Sequence, residues 1–508
     1  MKLVNTSAAW PIVAALTALG LAACGGGGGS GGSAAANPPT SPSSGGGGVN
    51  GNGNGASIPA VPVIYVADQD QVDIYELYLA DPEAPGTSVK VNGPLTPGGV
   101  VDMFALTNDR KAVIYTADQN IQNRTELFFV DLAHPGVSTR LNPSLVPERD
   151  VFDFVVSPDG KRVVYRADQD TDGVEELYLV NVSAPSMAVK VNAPLVPGGR
   201  VRSRYAFSPD GTRILYRADQ DKVGTTELYI VSVDHPGVAT RVNPELVAGG
   251  NVISAYDFSP DGSMIVYIAD QEADEVMELF AVALDALGTS VKLNGTLTDG
   301  GDVCRFEVSP DSTRVVYCAD QDDDETFELY AVELASPGQS VKLNPKLVEG
   351  GSVTGKFDFS PDGNFIAYSA NQDSATRVDL YGVALDVPGV AHKLNAPLTA
   401  GGNVISFDVH PQGGHVAYFA NQDDVNLYEL YTVDLTNPGL ATKLSAPISG
   451  GSGLFSASYA PNGEKIVYTA SQESETVQLY VVDLLSPGIA PRLNGPLVPD
   501  GSVWDFVL

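Results

Sequence analysis

The sequence predicts an all-β fold, a single closed β-propeller of nine four-stranded blades. Three observations predict it. A unit of 50 or 51 residues repeats through the body of the chain, each unit carries four strand signals, and the two ends of the body are complementary fragments of one unit. The repeat is marked by the tripeptide Ala-(Asp/Asn/Ser)-Gln. It begins at Ala67, Ala117, Ala167, Ala218, Ala269, Ala319, Ala370, Ala420 and Ala470.

The unit that starts at Asp150 shows the four strands in order. Strand a, from Val151, alternates apolar and polar residues. Ser157-Pro158-Asp159-Gly160 follows as a tight turn, with proline presetting φ and glycine supplying a positive φ. Strand b, Arg162 to Ala167, is rich in β-branched and aromatic residues. An acidic loop leads to strand c, from Glu176. A proline-containing turn then leads to strand d, Ala188 to Leu195, and a Pro-Gly-Gly step opens the next unit. The body begins at Val61 as a strand b with no strand a, and it ends at Val503–Leu508 as a strand a with no strand b. Pairing those two fragments closes the ring and removes its open edge.

Residues 1–60 read differently. Lys2 is the only charge before an apolar run from Ala8 to Ala23, the pattern of a secretory signal. The run ends in Leu21-Ala22-Ala23-Cys24, which resembles the bacterial lipobox. That resemblance implies a signal peptide over 1–23, cleavage before Cys24 and lipidation of its thiol. Gly25 at the next position implies, by the same analogy, export to the outer membrane, periplasmic or surface face. Residues 24–60 are a tether of Gly, Ser, Pro and Asn without charge, too poor in side chains to offset the entropy of ordering. Residues 61–508 are the propeller. Membrane contact is expected through the lipid anchor only, with the ring monomeric.

Acidic residues outnumber basic ones 62 to 29, a net charge of −33. This argues against nucleic acid and anionic lipid as partners, because both need stripes of Lys and Arg. An acidic surface also keeps a β-rich exported protein soluble.

Ser157–Gly160, Ser208–Gly211, Ser259–Gly262 and Ser360–Gly363 share the Ser-Pro-Asp-Gly turn. Each precedes an apolar-Tyr-x-Ala-Asp/Asn strand and a Glu-Leu-Tyr or related strand, as at Tyr165–Asp168 and Glu176–Tyr178. These units resemble the WD-like propeller repeat of TolB-type proteins over residues 61–508. The resemblance implies a fold and no particular activity.

In a four-stranded blade the b–c and d–a connections share one face, so the acidic b–c loops collect there. The third loop is the fullest. Asp168, Asp170, Asp172, Gly173 and Glu176 resemble the Asp-x-Asp-x-Asp-Gly calcium loops of some other propellers. The resemblance implies a Ca²⁺ held by Asp168, Asp170, Asp172 and Glu176, since closely spaced hard oxygens suit that ion. The simpler reading is that these side chains cap turn N–H groups. No cofactor is required by the sequence, and calcium is the one it offers.

A basic patch stands against the acidic background. Arg200, Arg202 and Arg204 alternate at the start of one strand a, and Arg166 and Arg217 share a strand-b position in neighbouring blades. Guanidinium forks suit a carboxylate- or phosphate-bearing ligand, while pairing with local Asp and Glu is the alternative use. His410 and His415 flank one a–b turn and read as surface residues. Cys304 in strand a and Cys318 in strand b fall opposite each other when the hairpin is folded about Asp311. An oxidising envelope permits a disulfide there.

No nucleophile elbow, P-loop or paired-histidine metal signature is present. The expected function is a non-catalytic binding or scaffold ring on the cell envelope, for protein or glycan partners. A lyase or hydrolase acting on acidic polysaccharide is the second reading, and a calcium-stabilised adhesion module the third.

Overall fold

The computed structural model describes residues 58–146, 148–449 and 453–508. The signal peptide, Cys24 and nearly all of the tether lie outside the described residues. The described residues form nine antiparallel sheets, eight of them ordered d-c-b-a and one c-b-a. Strands a of neighbouring blades touch one another, so they line the axis, with strand d at the outer rim.

Closure is made in blade 1. Strand b of that blade, Val63–Ala67, pairs with Val503–Val507 in antiparallel register, Ile64 opposite Val507 and Tyr65 opposite Phe506. Nine apolar clusters fill the nine seams between blades, each built from facing sides of two neighbours. The cluster of Val63, Tyr65, Leu479 and Val467 joins the last blade to the first. Burying whole apolar side chains of this kind contributes about 1.5–3 kcal/mol each.

The repeated residues are the parts of one joint. In every blade a tyrosine of strand b stacks on a Tyr or Phe of strand c at 5.3–5.6 Å between ring centroids. Its hydroxyl donates to the Gln of the Ala-x-Gln tripeptide at 2.5–3.1 Å. The residue after Ala is Asp in most units. One carboxylate oxygen of Asp168 accepts the N–H of Asp150 in the d–a loop, and the other accepts that of Gly173 in the b–c loop. The asparagine that follows strand d accepts the strand-c leucine N–H, as Asn243 does from Leu228 at 2.8 Å. Most of these polar groups are buried, so they must be paired.

Neighbouring blades are also tied at the outer rim. The left-handed residue of each c–d turn donates its N–H to strand d, or the residue just after it, in the preceding blade. Gly136 does so to Val91, Gly237 to Val191, and Gly86 to Leu493 across the closing seam. Glycine suits the position because φ is near +80° there.

One blade departs from four strands. Blade 9 has three, and its strand d is reduced to a single bridge, Tyr480 opposite Arg492. Pro491 occupies the middle rung and has no N–H to give the ladder.

Candidate functional site

Every strand a bulges near its start. The residue before the bulge is a buried Val, or Leu454 in blade 9, where the strand starts one residue earlier at Gly453. The bulge throws the next side chain out of the ladder, as bulges do. Around the ring from blade 1 these residues are Trp504, Asp102, Phe152, Arg202, Ile253, Cys304, Thr354, Ile405 and Phe455, all exposed or half-exposed. Trp504 and Phe455 are 59% and 56% exposed, which is unusual for large aromatic residues near a propeller axis. Tyr75 meets Trp504 edge-on at 5.0 Å. The bulges lie at the end of strand a nearest the b–c and d–a loops, so they rim the mouth of the axial opening. Blades 8, 9 and 1 give this rim an apolar arc, and blade 4 gives it a cationic one.

The arginines divide into two groups. Arg166 is neutralised: it grips Asp153 at 2.5 and 3.0 Å, pairs with Glu175 and lies over Phe152. Arg200 reaches the same Glu175 at 3.6 Å. Arg202 touches Asp219 at 3.4 Å. Arg204 and Arg217 have no salt-bridge partner among the described residues. Arg217 donates to the Val252 carbonyl at 2.8 Å, and both stand 5.8 Å from the Tyr256 ring centre. Burial, and then the charges of Arg202 and Arg204, lower the Arg217 pKa.

Three of the implied calcium ligands lie on the b–c loop and Glu176 opens strand c, and three of the four have other partners. Asp168 caps two backbone N–H groups. Asp170 and Glu176 share the ammonium of Lys190 at 2.9 and 2.6 Å. The same three-way bridge recurs at Asp70, Glu76 and Lys90 and at Asp423, Glu429 and Lys443. Gly173 sits at φ +67°, a left-handed position that Asp73, Asn123, Glu275 and Glu325 also occupy in their own loops. The spacing thus has a turn-forming use in every such blade. No group of three metal-ligating side chains occurs among the described residues.

Cys304 and Cys318 are free thiols, one exposed and one buried. The expected pairing is corrected by one register step. The strand-a bulge places Arg305, not Cys304, opposite Cys318. The two thiols are still neighbours, and the Cys304 thiol, with burial, pushes the Cys318 pKa up. His410 ties two blades together: its Nε2 meets the Gly463 carbonyl at 3.0 Å, its Nδ1 accepts from Gln412, and its ring packs edge-on against Tyr459. His410 and Arg200 stand at opposite ends of their strands a, so the two do not converge on one site.

Deeper along the axis, strands a of blades 6 to 8 carry a belt of mixed charge. Arg305 pairs with Glu307 at 2.6 Å. Lys356 donates to the Phe407 carbonyl and lies 4.8 Å from the Phe407 ring centre. Asp358 stands within Coulombic reach of Glu307, and Asp408 within that of Lys356. Burial and then the Asp358 charge push Glu307 up to about 7, against the pull of Arg305 and Lys356. A carboxyl held above its unfolded value favours the fold while protonated, and that contribution fades as pH rises from about 4.5 through 7. Glu307→Gln is therefore expected to raise the melting temperature relative to the parent at pH 8 and to leave it unchanged at pH 5. Paired thermal melts at the two pH values check this.

No family model and no curated protein matches the sequence. Solved structures do resemble it. A eukaryotic initiation factor aligns over 88% of this chain and 97% of its own, with a TM-score of 0.55 and 10% identity. Prolyl oligopeptidase B from Galerina marginata aligns over 75% of this chain with a TM-score of 0.44 and 11% identity. The chain covers 55% of that peptidase's length. A putative TolB from Agrobacterium tumefaciens aligns over 56% of this chain and 88% of its own, with a TM-score of 0.31 and 17% identity. At these identities the likeness is one of fold, a large all-β propeller.

Proposed function

We propose that the protein is a non-catalytic binding ring, held on the cell envelope by a lipid at Cys24, which takes a protein or glycan partner at the mouth of its axial opening. One observation carries the reading. Cores and a–b turns repeat from blade to blade, while the nine bulge residues, all exposed or half-exposed, change in size and charge around the ring. A rigid frame that varies at the mouth, where side chains are presented, suits selective recognition. Exposed aromatic residues are the usual anchors of such contacts. Nucleic acid does not fit a chain of net charge −33.

The test compares the purified chain with a Phe455→Ala, Trp504→Ala variant on immobilised envelope glycans and proteins. The parent is expected to retain a specific partner and the variant to lose at least about tenfold in affinity, the usual scale for hot-spot aromatics, at an unchanged melting temperature. Equal retention by both proteins would remove the mouth from the account. Chemical turnover of the retained partner would replace binding with catalysis.

A further inference from the structure

We propose that the mouth carries, at blade 4, an oxyanion site built by Arg202, Arg204, Arg217 and Tyr256, for the carboxylate of a uronic-acid unit on an otherwise uncharged glycan. The proposal rests on the binding-ring reading and names its ligand class.

Four observations support the site. First, close counter-charges are few here, although Asp257 stands within Coulombic reach of Arg204. Arg204 and Arg217 have no salt-bridge partner among the described residues, and Arg202 shares Asp219 with the N–H of Arg200. Second, the Nε–H groups of Arg202 and Arg217 are buried and lack an acceptor. These Nε donors are closed to solvent, so they mark under-compensated cations and not contact points. A carboxylate would meet the guanidiniums at their terminal nitrogens. Third, the guanidiniums are held in place beforehand. The Val252 carbonyl fixes Arg217, and the Tyr256 hydroxyl donates to the Arg204 carbonyl while its ring faces both cations. Fourth, Arg204 is exposed on the bulge with φ at +66°, a left-handed conformation that a non-glycine residue adopts only under constraint. The equivalent bulge positions in blades 5 and 7, Ala255 and Lys356, are not left-handed.

The surroundings set the ligand class. Acidic loops around the mouth repel a ligand with charges along its length, so one isolated anionic group fits best. Hydroxyls of Ser203 and Ser254 and the exposed face of Phe152 lie beside the cations in chain and blade order. Hydroxyls and an aromatic face suit a sugar ring better than a peptide backbone.

The experiment is calorimetric titration of the full chain with glucuronate, with glucose, and with triglycine bearing a free carboxylate. Glucuronate is expected to bind at least about tenfold better than glucose, as a charge-assisted fork implies. Arg204→Gly and Arg217→Gln are each expected to weaken glucuronate by about fivefold or more. Arg204→Gly is also expected to melt no lower than the parent, because glycine relieves the left-handed strain. A purely structural arginine would give the opposite, a lower melting temperature with binding retained, and would overturn the site. Glucuronate that binds no better than glucose, or that ignores both substitutions, overturns it as well. Tighter binding of triglycine would assign the cations to a peptide terminus and overturn the sugar. If a partner found for the ring depends on Phe455 and Trp504 but not on the arginines, the binding ring stands and the oxyanion site falls.

Discussion

A chain lacking residues 503–508 is expected to melt about 5 °C or more below the parent and to self-associate. These residues form the innermost strand of blade 1. They supply its ladder to Val63–Ala67, and with Val503, Phe506 and Leu508 they help fill the closing seam. Loss of two or three buried apolar side chains removes about 5 kcal/mol. It also leaves strand b of blade 1 as an open edge, a template for pairing with a second molecule. Thermal melts and size-exclusion chromatography read both effects. A synthetic peptide of residues 501–508, added in trans, is expected to restore much of the loss. A truncated chain that stays monomeric with the parent's melting temperature would show that blade 1 does not depend on its last strand.

The second large effect is expected at Gly199, the second glycine of a d–a loop. A Cβ there would stand 2.3 Å from the main-chain carbonyl oxygen of Asp219. Neither group can swing aside, because Asp219 ends strand b and its carboxylate already caps the Arg200 N–H. Gly199→Ala is expected to cost about 2–4 kcal/mol, at or above the usual range for overpacking. Gly136 is the informative contrast. Its φ is +82°, but nothing lies within 4 Å of the position a Cβ would take. Gly136→Ala is expected to cost only about 1–2 kcal/mol, the strain of a left-handed alanine. Denaturant titration of the two variants separates close approach from backbone conformation. Equal costs would mean that the d–a loop yields more readily than its geometry indicates.

Much of this architecture was legible in the residues. Blade number, strand order and closure followed from the spacing of Ala67 to Ala470 and from the fragment at Val503–Leu508, because repetition turns local strand signals into a count. The joints were visible as motifs but not as contacts. The Gln of Ala-x-Gln and the Asn after strand d look like loop polarity until Tyr216 is seen to donate to Gln220 and Leu228 to Asn243. The arginine patch was found by its contrast with the acidic background. Its division was not, since Arg166 and Arg217 occupy the same strand position and only the former meets a carboxylate, Asp153. The bulges were hidden because an extra residue changes no composition. The same one-residue slip displaced Cys304 from its expected place opposite Cys318. The rim residues could have been found by aligning the units and asking which column, between a fixed valine and a fixed aromatic, never settles on one residue type.

The position of Val63 has a consequence for orientation. Ile64 pairs with Val507, whereas Ala67 pairs with Val503 beside the mouth. The polypeptide therefore enters its first strand, at Val63, from the side where the a–b turns lie. A leash fastened there would pull on the back of the ring. Under tension, the aromatic and cationic rim would point away from the point of attachment, toward arriving molecules.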